Sequence, residues 1–491
     1  MRDIQLAFIS NRTTSRIFKI LGIIERMRLF TIKQLAERIK VTERTIANDM
    51  KYIRDYFDGS IALTSGNNGV LFEEKKPSEY KKLKQKLLDN ECLFEIIGNI
   101  FYGKFARVDE LAEHYHFSES SFRRMLNQSN SILKMYGLQW ASNPLTIQGE
   151  EANLRKFYKD FYYEGIETKY TLLPDLELQN LILTKLEGKL GNYGIGSGTT
   201  PASHYYTYFI AIKRASLGFT ISLPEELKRL AYQETDFPLM YSLKPDIDKL
   251  YNITFPKIEF VWIYLVSLCE RTLDRQDQEE RFYDHFHSGN EIADLTDDFL
   301  SMREVSGKDR QTIATFIRAF FLSRNINHRI SPVLNKEMSD LKEVIFNLDY
   351  VDYQRNYLFL KKEGENIFNS SIYLEDIAVA LTVYSDLILD IYAPSKKIYF
   401  LLEGDHFMCQ YIRTRAIQQF GMKHSLSFLP LQSLTNDVLE DTDVDLIVTN
   451  YSRYILDYTL HTNYLLLKAV PDEQDWQQLE KKIDPYRKKR V

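Results

Sequence analysis

The 491-residue sequence contains few cysteines and lacks long apolar or low-complexity runs. Its three cysteines, Cys92, Cys269 and Cys409, lie far apart, which argues against a disulfide framework and against a cysteine-based metal site. No segment reaches the roughly 18 apolar residues that a membrane span requires, and the first residues lack the basic-then-apolar pattern of a secretion signal. We therefore expect a large, multidomain cytoplasmic protein that has no membrane partner, no metal and no organic cofactor.

One sequence pattern occurs twice, at positions 76 residues apart. Residues 35–43 and residues 111–119 each run from Leu-Ala-Glu through a turn to a Thr-Glu or Ser-Glu pair. The alanine allows a second helix to cross closely, and the Thr or Ser can cap that second helix. Val41 and Phe117 are expected to fill the space beneath the two turns. The pattern therefore predicts two helix-turn-helix units.

The second helix of each unit is expected to turn a polar face toward DNA. Apolar or small residues recur at helical spacing on the opposite, core-facing side: Ile46, Met50, Ile53, Phe122, Leu126, Ser129 and Leu133. The outward positions carry residue types that read base edges or hold phosphates in a major groove. The predicted DNA-binding residues are Arg44, Thr45, Asn48, Lys51, Ser120, Arg123, Arg124 and Asn127.

Each unit is followed by a predicted β-hairpin, or wing. Residues 61–63 and 70–72 flank a turn at 65–69 that contains the Asn-Gly signal. The second wing is expected at 138–140 and 145–147, with its turn at 142–144. A single unit of this kind would also fit a helical hairpin that has no DNA role. Two winged units in tandem favour DNA binding.

The charge distribution distinguishes the two units. Residues 1–90 hold 18 lysines and arginines against 11 aspartates and glutamates, a net charge of +7, whereas the other 401 residues carry −12. Residues 91–150 count 5 basic against 7 acidic residues. Because a basic surface attracts the DNA backbone, the first unit is predicted to be the main reader, and the second a weaker reader or a brace.

Beyond the wings the sequence is predominantly helical to about residue 392. The second half of this helical region should contain an apolar helix at 312–322, a turn around 325–330 and a closing helix at 374–389. From residue 397 onward, alternating strands and helices predict a small α/β domain with a mostly parallel sheet. The predicted strands are 397–402, 425–429, 444–449 and 464–467, and the predicted helices are 407–420 and 473–483.

The predicted fold class is therefore multidomain and mainly α, with five parts. The predicted domains are winged helix-turn-helix units at 1–88 and 89–155, all-helical domains at 156–275 and 276–392, and an α/β domain at 393–491.

This order of parts resembles the Mga/AtxA virulence regulators of Gram-positive bacteria over essentially the full chain. The junction at residues 147–155, which reads Ile-Gln-Gly-Glu-Glu and then Leu-Arg, adds to the likeness. In that family the helical blocks are phosphotransferase-system regulation domains (PRDs), and the last domain is similar to enzyme IIB of sugar phosphotransferase systems. The resemblance implies a transcription regulator, usually an activator, that binds double-stranded DNA and forms a homodimer or higher oligomer through its C-terminal domain.

The same resemblance suggests control by histidine phosphorylation, with phosphocarrier proteins as partners. Of four histidines that the PRD pattern leads one to expect, His204 is the single match and is the candidate phosphorylation site. Val266 and Val383 occupy two of the other positions, and residues 311–316 contain no histidine at the last one. The loop at 403–406 lacks the reactive cysteine of enzyme IIB, and Cys409 is expected to be a packing residue. We therefore expect the C-terminal domain to serve in docking or dimerisation.

Two other functional classes compete with this interpretation. An enzyme would have to use His285 and His287 with Asp284 as metal ligands, or Asp405 and His406, but neither set has a third ligand at motif spacing. We therefore expect no enzymatic activity. A PRD-type antiterminator that binds RNA is the alternative, although it would need a small β-rich RNA-binding module in place of two winged units.

Overall fold

The computed structural model describes residues 3–186, 201–305, 309–337, 339–368, 372–392, 395–429, 444–457 and 463–483. The chain divides into two compact units, one formed by Met1–Ile292 with Ala319–Val379 and the other by Ala293–Arg318 with Ala380–Val491. Over the described ranges, no helix is both long enough and apolar enough to cross a bilayer. The predicted multidomain, mainly helical fold with a winged N-terminal region and a C-terminal parallel sheet is confirmed. The five domain boundaries stay predictions.

The first winged unit contains five helices and three short strands. Its elements are α1 (Asp3–Leu6), α2 (Arg12–Met27), β1 (Leu29–Phe30), α3 (Ile32–Ile39), α4 (Glu43–Tyr56), β2 (Ile61–Gly66), β3 (Gly69–Glu74) and α5 (Pro77–Lys86). The strands form an antiparallel sheet in the order β1-β3-β2. The predicted wing is β2 with β3, and its two-residue turn is Asn67-Asn68, between the paired residues Gly66 and Gly69.

Strand β1 was absent from the sequence prediction because two residues are too few to show a periodicity. Leu29 pairs with Leu71, and Phe30 pairs with Val70. Gly69 makes this pairing possible: its φ is +131°, and a Cβ atom there would lie 2.4 Å from the Phe30 carbonyl oxygen. A side chain at this position would therefore separate β1 from the wing.

The second winged unit repeats the arrangement with a two-stranded wing. Its elements are α6 (Cys92–Phe101), α7 (Val108–His114), α8 (Glu119–Met135), β4 (Gln139–Ser142), β5 (Leu145–Gln148) and the following helix α9 (Glu151–Tyr162). The expected burial of Phe117 was wrong, since its side chain is 39% exposed. His116 takes a positive φ of 60° at the turn, and the Phe117 ring is tilted by 51° against that of Phe122, with 6.3 Å between ring centroids.

The middle of the chain is helical, as predicted. Its helices are α10 (Leu176–Leu186), α11 (Pro201–Ser216), α12 (Glu225–Gln233), α13 (Phe237–Tyr241), α14 (Lys244–Tyr251), α15 (Lys257–Leu268), α16 (Gln276–Phe286), α17 (Glu291–Met302), α18 (Arg310–Ile330), α19 (Ser339–Leu348), α20 (Tyr350–Glu363), α21 (Glu365–Phe368) and α22 (Leu374–Tyr392), with a 3₁₀ helix at Pro332–Asn335. The sequence also predicts a looser stretch with Gly, Ser and Thr at residues 191–201, which lies almost wholly outside the described residues.

The turn expected around residues 325–330 was wrong, because α18 continues without interruption to Ile330. Ile326 is fully buried, and the Asn325 side-chain amide donates to the Ile367 carbonyl at 3.3 Å. Burial and this long-range bond outweigh the weak helix preference of the two asparagines in the segment. Pro332, just past the end of α18, begins the 3₁₀ helix.

The C-terminal domain has the predicted parallel sheet. Its elements are β6 (Lys397–Leu401), α23 (His406–Phe420), β7 (Ser425–Phe428), β8 (Leu446–Thr449), α24 (Ser452–Asp457), β9 (Tyr464–Leu466) and α25 (Glu473–Ile483). The strand order is β7-β6-β8-β9, and every pair is parallel. On one face, Phe400 and Val448 pack against Ile412 of α23 and Trp476 of α25. The helix-covered strands explain the near-continuous apolar runs in the sequence.

Candidate nucleic-acid interface

Helix α4 is the second helix of the first helix-turn-helix motif. Thr42 caps it, since its hydroxyl accepts a hydrogen bond from the Thr45 amide at 3.2 Å. The Thr45 hydroxyl lies 2.9 Å from the same oxygen. Ile46 and Ile53 are fully buried, as the spacing predicted. The capped start and the buried apolar side fix which face of α4 is turned to solvent.

The exposed face of α4 carries three of the predicted DNA-binding residues. Arg44, Asn48 and Lys51 are all exposed. Within the described part of the chain none of them forms a side-chain hydrogen bond or ion pair. Thr45 differs because it is half-buried and its hydroxyl contacts the cap. Three unpaired polar side chains on one helix face leave their full hydrogen-bonding capacity for a ligand.

An ion pair joins the buried side of α4 to α2. The Arg16 guanidinium of α2 donates two hydrogen bonds to the Asp49 carboxylate, from Nε to Oδ2 at 2.5 Å and from a terminal nitrogen to Oδ1 at 2.9 Å. The hydrogen bond to Asp49 raises the pKa of Arg16. The Asp49 side chain is only 7% exposed, so this bidentate contact sets the position of α4 against α2.

Helix α8 occupies the equivalent place in the second unit, but its polar face is largely engaged within the protein. Arg123 forms an ion pair with Glu119 at 2.8 Å. Asn127 accepts a hydrogen bond from Asn130 at 3.0 Å, and the Ser120 hydroxyl lies 3.2 Å from that of the capping Ser118. Arg124 is exposed and, over the described ranges, has no ion-pair partner.

Two contacts fasten α8 to its surroundings. Met125 meets Cys92 of α6, with 3.7 Å between the two sulfur atoms. On the other side, the Trp140 indole nitrogen of β4 donates to the Ser129 hydroxyl at 2.9 Å, so the second wing is tied directly to α8. The buried Cys92 has a pKa raised to about 12, mainly by burial, which makes it a packing residue.

The structure adds residues that sequence reasoning missed. The start of α2 lies beside α8, and Asn11, Arg12, Arg124 and Gln128 line one surface groove with Phe117. Asn11 caps α2 by accepting from the amides of Thr13 and Thr14, at 2.8 and 3.2 Å. The Asn-Arg-Thr-Thr start was visible in the sequence as a helix cap, but its closeness to a helix more than a hundred residues later was not. A helix N-terminus flanked by arginines suits a phosphate.

His204, the candidate phosphorylation site, lies in α11 and is only 7% exposed. Its Nδ1 is 3.2 Å from the Ser267 hydroxyl, and its ring stands edge-on to Tyr208. Burial, with Lys159 as a second cause, lowers the pKa of His204 to about 4. The imidazole is therefore neutral at pH 7, as a phosphoryl acceptor must be, and is shielded from solvent.

The remaining histidines considered in the sequence are separately engaged. His285 pairs with Glu234 at 2.9 Å, and the Nδ1 of His287 lies 2.8 Å from the Tyr283 carbonyl oxygen.

In the C-terminal domain, the Asp405 carboxylate caps α23 by accepting from the Met408 amide at 3.0 Å. Burial, Glu403 and Asp405 raise the pKa of Cys409, which disfavours a reactive thiolate. Cys409 is partly exposed, so the expectation of a packing residue holds only in part.

Comparison with known proteins gives a domain match and several distant relatives. A sequence model of the Mga helix-turn-helix domain matches residues 78–162, which cover the second winged unit and α9. The anthrax toxin expression trans-acting positive regulator of Bacillus anthracis is 21% identical, over 94% of this chain and 95% of its own length. The capsule synthesis positive regulator AcpB of the same organism is 21% identical, over 93% of this chain and 95% of its own length. The probable licABCH operon regulator of Bacillus subtilis is 22% identical over 53% of this chain and 44% of its own.

These relatives are regulators of expression rather than enzymes, and two of them align along nearly their whole length. The matched domain is the second of the two winged units whose geometry is described above. The chain is therefore a DNA-binding transcription regulator with an Mga helix-turn-helix domain, and it is similar over nearly its full length to the two Bacillus anthracis regulators.

Proposed function

We propose that this regulator reads its DNA sequence mainly through α4, and that α8 makes a second, weaker contact. One observation carries the proposal: Arg44, Asn48 and Lys51 stand exposed and unpaired on α4, whereas Arg123 and Asn127 of α8 are bonded within the protein. Side chains that are already paired lose those contacts when they turn to a base. The net charge of +7 over residues 1–90 favours the same assignment.

The regulation is proposed to be positive and to take place in the cytoplasm. The support comes from relatives whose names describe positive regulators of toxin expression and capsule synthesis. A virulence-related role follows from the same names. A reporter gene placed behind a bound promoter tests the sign, since deletion of the regulator should lower its output. A rise in output on deletion would identify a repressor.

The direct test compares double-stranded DNA with structured RNA as ligands of the full-length protein across a salt series. We expect tighter binding to duplex DNA, with log affinity falling linearly as log salt rises, because cationic side chains displace counterions from phosphates. Lys249→Ala, an exposed change on α14, serves as the control and should leave both affinities unchanged. Preference for the RNA would instead support an antiterminator.

Self-association is proposed to occur through the C-terminal domain. Phe407 and Tyr411 lie one turn apart on α23 and are 81% and 49% exposed, a combination that is unusual on a surface without a partner. A Phe407→Lys variant should shift the protein toward monomer in sedimentation analysis. Gln410→Lys adds the same charge on an exposed polar position of α23 and should not. An unchanged oligomer in the Phe407 variant would remove this face from the interface.

Phosphorylation is proposed to take place on His204, with phosphocarrier proteins as donors. The buried Nδ1 is occupied by Ser267, so the helix must open locally to accept a phosphoryl group. Acid-labile labelling by purified phosphocarrier proteins should disappear in His204→Ala and persist in His287→Ala, whose histidine is exposed. Labelling that survives the His204 change would place the site elsewhere.

A further inference from the structure

A polar cavity of about 320 Å³ lies within the first compact unit, among α9, α11, α15 and the second half of α18. None of the DNA-contacting residues discussed above lines it. Six cationic side chains line it: Arg155, Lys156, Lys159, Arg271, Arg324 and Lys336. The volume falls at the lower end of the range found for small-molecule sites.

Five of these six cations have a carboxylate partner, so Lys336 is the one exception among the described residues. Arg155 is held by the fully buried Glu259, and Lys156 lies 2.8 Å from Asp160. Lys336 is different: it is 9% exposed, and among the described residues no carboxylate lies within ion-pair distance of it. Its polar contact is the Glu337 carbonyl oxygen at 3.3 Å, and the Tyr136 ring lies 5.2 Å away. Burial lowers the pKa of Lys336, and Asp376 and Asp160, which lie beyond ion-pair distance, offset part of that shift.

Other donors on the cavity wall are also poorly satisfied. Lys159 reaches Glu270 only at 3.4 Å. Trp262 is 3% exposed, and neither its indole nitrogen nor the Nε of Arg324 has an acceptor among the described residues. Buried donors without acceptors cost free energy, so a wall that collects several of them is suited to a ligand rich in acceptor oxygens.

The chemistry of the wall narrows the class of ligand. A buried lysine that has no ion-pair partner among the described residues favours an anion over a neutral molecule, and lysine and arginine together favour a phosphate group. Trp262, Val266 and Leu334 add an apolar wall against which a short carbon skeleton can pack. The cavity therefore suits a small phosphate ester or inorganic phosphate.

Helix α9 connects this cavity to the second wing. It begins three residues after β5 ends, and it carries Arg155, Lys156 and Lys159 on the cavity side. One turn earlier, Glu151 bonds both Arg155 at 2.8 Å and Arg214 at 2.7 Å, and it lines a separate surface pocket with Thr146 and Gln148 of the wing. A shift of Arg155 toward a ligand would therefore alter the contacts of Glu151 beside β5.

We propose that the cavity is an effector site for a small phosphate-bearing anion, and that occupancy is transmitted through Arg155 and Glu151 of α9 to the second wing. Binding of the anion to the cavity does not depend on the proposed DNA-binding function. The regulatory step rests on the proposed reading of DNA by the winged units.

The binding step is tested by calorimetry on the full-length protein without DNA, with inorganic phosphate, glycerol 3-phosphate and glycerol as probes. Saturable binding of glycerol 3-phosphate, at least tenfold weaker in Lys336→Met and Lys159→Met, is expected, while glycerol should not bind. Lys249→Met, on the exposed side of α14, is the matched control and should bind as the parent does. Binding of inorganic phosphate alone would support the site and identify the free ion as its ligand. No saturable binding of either phosphate, or equal binding by both cavity variants, would overturn it.

The transmission step is tested by hydrogen–deuterium exchange on the same samples. Bound anion should slow exchange in α9 and in β5, and the Lys336→Met variant should show neither change. Protection confined to the cavity helices α11 and α15 would contradict transmission to the wing. DNA affinity without anion should be the same for Lys336→Met and the parent, so a failure of the effector site is distinguishable from a failure of the DNA-binding assignment.

Discussion

The two winged units use the same positions for different chemistry. Each residue of one corresponds to the residue 76 positions later in the other, so Arg16 and Asp49 correspond to Cys92 and Met125. In the first unit this pair is a bidentate ion pair between α2 and α4, and in the second it is a contact between two sulfur atoms. One helix-turn-helix geometry is therefore secured by a charged contact in one copy and by soft packing in the other.

The exposed polar faces of α4 and α8 also differ. Arg44, Asn48 and Lys51 correspond to Ser120, Arg124 and Asn127. The first three are unpaired within the described part of the chain, while Ser120 and Asn127 contact neighbours on their own helix or its cap. A duplicated motif can thus keep its fold while one copy leaves three of these polar side chains unpaired and the other leaves Arg124 unpaired but engages the remaining two, within the described part of the chain.

The largest expected effect is on stability, and it compares loss of the Arg16–Asp49 ion pair with loss of the Cys92–Met125 contact. Arg16→Ala leaves the Asp49 carboxylate buried without its partner and should reduce the stability of the first unit by about 2–3 kcal/mol. Cys92→Ala removes one buried atom at the equivalent position and should cost the second unit about 1 kcal/mol. Hydrogen exchange in α4 and α8 measures both losses locally. Equal losses in the two helices would show that the difference in chemistry has no energetic consequence.

The next effect concerns DNA affinity on one fixed site. Arg44→Ala or Asn48→Ala should weaken binding by about 1–3 kcal/mol, because each removes a candidate base contact. Ser120→Ala, the counterpart of the Arg44 change, should cost less than about 0.5 kcal/mol, since that hydroxyl contacts the cap. Fluorescence anisotropy with a labelled duplex measures all three. Unchanged affinity in both α4 variants, with folding intact, would remove these residues from the interface.

A smaller effect tests the tie between the second wing and its helix. Trp140→Phe removes the 2.9 Å bond to Ser129 while keeping an aromatic ring, and should cost about 1 kcal/mol. Faster amide exchange in β4 is the expected signature, without a change in the first wing. Gln139→Ala, at the exposed start of β4, is the control. If β4 exchanges at the parent rate in Trp140→Phe, the wing is held by other contacts.

The smallest effect distinguishes phosphate contacts from base contacts. Lys51→Ala should weaken binding to all sequences alike, by less than about 1 kcal/mol near physiological salt. It should also lower the slope of log affinity against log salt by about 0.9, the value for one phosphate contact. Asn127→Ala, its uncharged counterpart on α8, should leave the slope unchanged. A normal slope in the Lys51 variant would place this lysine away from the backbone.

Much of each unit could be predicted because its signals are local. The caps Thr42 and Ser118 lie within three residues of the amides they bind, and the buried Ile46 and Phe122 follow from helical spacing alone. The C-terminal sheet was equally accessible, since its apolar strands alternate with helices over short distances.

What could not be predicted depends on contacts between distant parts of the chain. Arg16 and Asp49 are 33 residues apart, and nothing in their local sequence marks them as partners. Strand β1 exists only because Gly69 admits it, and the cavity collects residues from four helices. Position 117 looked apolar and local, yet its exposure was decided by the path of the turn.

The central claim, that the first unit is the sequence reader, is tested most directly by selecting bound duplexes from a randomised pool with three full-length proteins. These are the parent, an Arg44→Ala/Asn48→Ala double variant and a Ser120→Ala/Arg124→Ala double variant. The account predicts that the first double variant loses most of the parent's base preference, while the second keeps the same preferred sequence and binds more weakly at every site. Retention of the parent sequence by the α4 variant, together with its loss in the α8 variant, would contradict the assignment and make the second unit the reader.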